Sequence, residues 1–92
     1  MPEVLVKFYA GLKEKIGKSE VAVKANNPKE AIDALKYKLG DNFSRWVLGK
    51  DGLIKDYYVF LVNEQIVNKE NLNTKKLKEG DILHIFPPIA GG

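Results

Sequence analysis

From Val4 to Tyr9 the side chains alternate, with Val4, Val6 and Phe8 on one side and Leu5, Lys7 and Tyr9 on the other. A period of two predicts a strand. Ala10-Gly11 breaks the alternation, and the stretch up to Gly17 reads as a loop. Glu20 to Lys24 alternates again, with Val21 and Val23 inward, so the first two strands form a hairpin with a long connection. The period then becomes helical. Asn27 can cap, Pro28 suits the first helical position and Glu30 stands three residues after the cap. Ala31, Ile32, Leu35 and Leu39 make one apolar stripe, and Gly40 is a natural stop. Asp41 to Leu48 predicts a second, shorter helical piece, with Phe43, Trp46 and Val47 as its buried side.

The second half is written in β-formers. Tyr57 to Val62 does not alternate, and such a run predicts a central strand covered on both faces. Asn63-Glu64-Gln65 turns the chain, and Ile66-Val67 reads as a short edge strand. Asn68 to Lys78 is polar and irregular, anchored by Leu72 and Leu77. Glu79-Gly80-Asp81 is a further turn, Ile82 to Phe86 the last strand, and Pro87-Pro88 ends it because proline cannot donate to a ladder. Two strands, a helix, two strands and a final strand define an α+β chain. The expected fold is the β-grasp (ubiquitin-like), a mixed sheet of about five strands packed on one main helix. Its first and last strands would be adjacent, parallel and central. Residues 1–86 would form the domain and residues 87–92 a C-terminal tail.

Composition narrows the chemistry. Ninety-two residues make one domain with one modest core. With no cysteine there is no disulfide, no thiolate metal site and no cysteine nucleophile, which points to a cytoplasmic protein. No apolar run is long enough to span a membrane, and Met1-Pro2-Glu3 does not begin a signal peptide. The net charge of +3 is spread over interleaved signs, as in Lys13-Glu14-Lys15 and Lys78-Glu79. This describes a solvated surface and argues against nucleic-acid binding. His84 is the single histidine, so a multi-ligand metal site is not expected. Ser19 and Ser44 lie in no nucleophile-elbow motif, Glu14 and Glu20 read as solvated carboxylates, and Gly11 and Gly17 as isolated turn glycines. His84 alternates with Ile82 and Phe86 and reads as a surface or interface histidine, lacking the partners a general base needs.

The tail differs from the rest. Pro87-Pro88 stiffens its exit, and the side chains then shrink through Ile89 and Ala90 to Gly91-Gly92. Extended, residues 87–92 reach roughly 20 Å. A tapering end without Cβ atoms can thread a narrow channel and place its carboxylate in another protein's active site.

Phe86-Pro87-Pro88-Ile89-Ala90-Gly91-Gly92, preceded by Gly80-Asp81, resembles the C-terminal signature of the MoaD family, the small subunit of molybdopterin synthase. Val6 to Gly17 resembles that family's first strand and loop, and Arg45-Trp46 and Val62-Asn63 fall in the matching order. The resemblance implies that an adenylating enzyme of the ubiquitin-activating type (MoeB-like) uses ATP to activate Gly92. Sulfur then replaces the adenylate, and the thiocarboxylate donates it to a cyclic pyranopterin in the large subunit (MoaE-like). Gly91 would give steric access, and Pro87, Pro88, Ile89 and Ala90 would line the entry. The chain itself would bind no cofactor. The resemblance also implies docking through an apolar patch on the exposed sheet face, at Tyr9, Ile66 and Phe86. Lys13 stands where the family often has arginine, a change that matters at a bidentate contact. A protein modifier conjugated through Gly92, or a carrier for thiamine or transfer-RNA thiolation, would use the same activated glycine.

Overall fold

The computed structural model describes residues 1–87; Pro88, Ile89, Ala90, Gly91 and Gly92 lie outside the described residues, and so do the expectations placed on them. The elements are β1 (Glu3–Phe8), α1 (Ala10–Ile16), β2 (Glu20–Lys24), α2 (Pro28–Leu39), α3 (Asp41–Val47), β3 (Val59–Val62), β4 (Gln65–Ile66) and β5 (Ile82–Phe86). The five strands form one sheet in the order β2-β1-β5-β3-β4. β1 runs parallel to β5, and every other pairing is antiparallel. This is the expected β-grasp, with the first and last strands side by side at its middle.

Local chemistry accounts for the frame. The Asn27 side chain accepts a hydrogen bond from the Glu30 backbone N–H at 2.9 Å, and Pro28 opens α2 where its missing N–H has no helical partner. Ala31, Ile32 and Leu35 of α2, Phe43 and Val47 of α3, and Leu12 and Ile16 of α1 join the inward residues of the strands in one core. No polar or charged residue is buried among the described residues. Leu72 and Leu77 anchor the irregular segment, as expected. Asn63, held at φ 55, ties the β3–β4 turn to the start of β5: its N–H donates to the Ile82 carbonyl and its side-chain oxygen accepts from the Ile82 N–H.

Two expectations need correction. The segment after β1 is a helix, not a loop. Leu12 and Ile16 are four residues apart, both buried, and Gly17 closes the turn in the left-handed region at φ 83. The run Tyr57 to Val62 is not a strand covered on both faces. It pairs only from Val59, and it alternates, with Phe60 and Val62 buried and Val59 exposed. Tyr58 is drawn out of the sheet by its hydroxyl, which donates to the Trp46 carbonyl of α3. Trp46 itself is only partly buried, with the Lys15 ammonium 4.2 Å from its ring centre. No helix among the described residues is long and apolar enough to cross a membrane.

Candidate functional site

The strands that bury one row of side chains must present the other. Opposite the core, Leu5 and Lys7 of β1 face Ile82 and His84 of β5, and Val59 and Leu61 of β3 face Phe86 and His84. Ile66 on β4 extends the row beyond Leu61. Val59 and Ile66 are 42% and 69% exposed, an unusual cost for aliphatic side chains in a chain with enough helix to cover only one face. A shallow depression of about 230 Å³ adjoins the row at Val59 and Ile66, with Tyr58, Val67 and Leu72 in its walls.

At the centre lies an aromatic stack. Tyr9 follows β1 in extended conformation, and Ala10 turns the chain into α1 with φ 52. A left-handed alanine costs about 1–2 kcal/mol, so this turn is held by its surroundings. The Tyr9 ring lies nearly parallel to Phe86, 4.3 Å between centres, and also stacks on His84 at 5.7 Å. Its hydroxyl is 2.6 Å from His84 Nδ1, a hydrogen bond. Partial burial, then the neighbouring Lys7 charge, hold the His84 imidazole below its ordinary pKa.

The structure therefore brings Tyr9 and Phe86 into contact and puts Ile66 on the same face, two strands away across Leu61 and His84. Phe86 is the last residue of β5, and Pro87 leaves the sheet directly from it. Val59 and Leu61 are members of this face that the sequence did not point to, and His84, expected as a surface or interface histidine, lies between them and Tyr9. The signal for His84 was the alternation through Ile82-His84-Phe86, and Leu61 and Val59 share that face once β3 is set against β5.

The chemistry of the face is limited. Among the described residues no three His, Cys, Asp or Glu side chains group as a metal site would need. Among the described residues the side-chain hydrogen-bond partner of the imidazole is the Tyr9 hydroxyl. What the arrangement can do is bind, through an apolar and aromatic surface that ends at the root of a glycine-terminated segment.

Known proteins carry the same frame. The chain matches the ThiS family over residues 6–92. It is 29% identical over 90 residues to the molybdopterin synthase sulfur carrier subunit of Escherichia coli (strain K12), covering 97% of this chain and 99% of that protein. SAMP1 from Haloferax volcanii, a small archaeal modifier protein, superimposes with a TM-score of 0.84 at 28% identity, over 98% of this chain and 99% of that one. A protein–protein complex of subunits 1 and 2 of molybdopterin-converting factor from Helicobacter pylori 26695 contains a chain of TM-score 0.68 and 27% identity, with coverage of 98% and 99%.

Proposed function

This chain belongs to the ThiS family, and from that premise we propose that it is the sulfur-carrier small subunit of a molybdopterin synthase. Gly92 is the group that is adenylated, converted to a thiocarboxylate and spent as sulfur donor to the cyclic pyranopterin. The observation that carries the reading is the continuity of the open face with the tail: Tyr9 stacks on Phe86, and Phe86 leads through Pro87 into the last residues. A partner seated on that face receives the tail at a fixed starting point. The likeness to the E. coli sulfur carrier subunit and to the H. pylori two-subunit complex supports a large-subunit partner of the same kind.

The division of labour follows from the chemistry. A carboxylate is a poor electrophile, so activation needs a leaving group, and adenylation by a MoeB-like enzyme with ATP supplies it. A thiocarboxylate then keeps sulfur nucleophilic while it is tethered. The nucleotide site and the catalytic groups belong to the partners, and this chain contributes a docking face and the glycine-ended segment that follows Pro87.

The test is intact mass after incubation with the activating enzyme, ATP and a sulfur source. The expected result is the gain from replacing one oxygen by sulfur, lost when Gly91-Gly92 is deleted while the melting temperature is unchanged. Failure of Gly92 to be adenylated overturns the reading. A second reading, conjugation of Gly92 to protein lysines, is favoured by the likeness to SAMP1. Glycine-modified lysines in the organism's proteins, with no dithiolene formed alongside the large subunit, would replace the first reading by the second.

A further inference from the structure

His84 is an imidazole set among apolar residues of the open face. Leu61 lies opposite it on β3, Ile82 and Phe86 flank it on β5, and Ile66 lies beyond Leu61. From β1 it meets Tyr9 and Lys7; β3 and β4 bring no charge to it, and on β2 the acid in register is Glu20, on the far side of Lys7. Two donors emerge from this setting.

The first is His84 Nε2–H. A hydroxyl donates readily to an imidazole nitrogen, and we take the Tyr9 hydroxyl as the donor to Nδ1 across 2.6 Å. The proton of the neutral ring then resides on Nε2. Nε2 has no partner among the described residues, and no unpartnered side-chain nitrogen or oxygen is buried there, so Nε2 is open to solvent. The second donor is the Lys7 ammonium, on the cross-strand neighbour of His84. The ion pairs among the described residues join Lys29 to Asp33 and Lys69 to Asp56, so Lys7 is in neither.

A wholly apolar partner laid over this face would strip water from both donors and return nothing. One neutral carbonyl would satisfy one of them. A single carboxylate accepts from both and balances the charge. We infer that the protein surface covering this sheet face places an aspartate or glutamate carboxylate over Lys7 and His84, which makes this pair a specificity determinant for docking. The inference rests on the sulfur-carrier reading, because it takes the covering partner to be the large subunit.

The experiment is calorimetric binding of the intact chain to the large subunit of molybdopterin synthase from the same organism, between about pH 5.5 and 8, the range in which an imidazole titrates. Affinity should rise as pH falls, because a partner carboxylate favours the imidazolium. His84→Ala should lower affinity roughly ten- to a hundredfold and remove the pH dependence. His84→Gln, which keeps a donor without a titration, should bind better than His84→Ala and also lack the pH dependence. Lys7→Met should weaken binding while leaving the sign of the pH dependence intact. Side-chain nitrogen NMR of the free chain should find Nδ1 unprotonated, with the preference relaxed in Tyr9→Phe. A protonated Nδ1 at neutral pH, an affinity that falls with pH, or full affinity in both His84→Ala and Lys7→Met overturns the inference alone. No binding by the unaltered chain at any pH overturns the large-subunit reading and this inference with it.

Discussion

The two faces of this sheet come from the same strands and meet opposite fates. On one, Val4, Val6 and Phe8 of β1, Phe60 and Val62 of β3, and Leu83 and Ile85 of β5 are each at most 3% exposed under the helices. On the other, the alternate residues Leu5, Val59, Leu61, Ile82 and Phe86 are nearly as apolar and stay partly or largely open. Hydrophobicity therefore does not tell the faces apart. The helices do: α1, α2 and α3 all feed the one core. The buried face supplies the stability of the chain, and the open face leaves apolar area uncovered, the area that the proposed function assigns to a docking partner.

That comparison breaks or holds on paired substitutions. Phe8→Ala removes a ring whose centre lies 6.5 Å from that of Phe43 in the core. It should destabilise by about 3–5 kcal/mol and lower Tm by more than about 10 °C, read by thermal melting. Phe86→Ala removes a ring of the same size from the other face of the sheet. Its stability change should stay near the ~1 kcal/mol of a lost aromatic pair, while docking to the large subunit falls by about thirtyfold or more. Equal melting temperatures for the two variants would mean that both faces serve the fold, and the contrast would fail.

A smaller effect sharpens the contrast from the helix side. Asn27→Ala deletes the cap of α2 and should cost about 1 kcal/mol in melting experiments, with docking affinity unaltered. Any loss of docking would mean that the helical layer also touches the partner.

These assignments were legible in different degrees. The alternation through Val4, Val6 and Phe8 and the Asn27-Pro28-Glu30 start of α2 carried β1, α2 and their burial directly. α1 was missed because Ala10-Gly11 looks like a chain break and the helix is only two turns long; the spacing of Leu12 and Ile16 was its one helical mark. The error at Tyr57–Val62 is more instructive. An unbroken apolar run predicts cover on both faces, yet β3 has cover on one. The sequence pattern counts apolar positions and cannot distinguish a helix of the same chain from a partner that arrives later. Tyr9 and Phe86 were placed correctly on the open face, but their contact with His84 was invisible, because it depends on the left-handed turn at Ala10 and on the register of β1 with β5.

The smallest expected effect concerns pH, and stability and docking should answer it with opposite signs. In the free chain, burial and the Lys7 charge lower the His84 pKa from its ordinary 6.5. The unfolded chain then binds more protons than the folded one just below that value, so stability is complete above it and declines as pH falls toward the folded pKa. Because the ring is partly solvated, the change in Tm between neutral and mildly acid pH should be slight, and His84→Ala should abolish it. Docking should move the other way and tighten over the same interval, because the partner's carboxylate would raise the same pKa. A chain that loses stability on acidification while it gains affinity would locate both responses in one imidazole. If both weakened together, acidification would be acting on the fold as a whole, and the open face would have no titrating contact of its own.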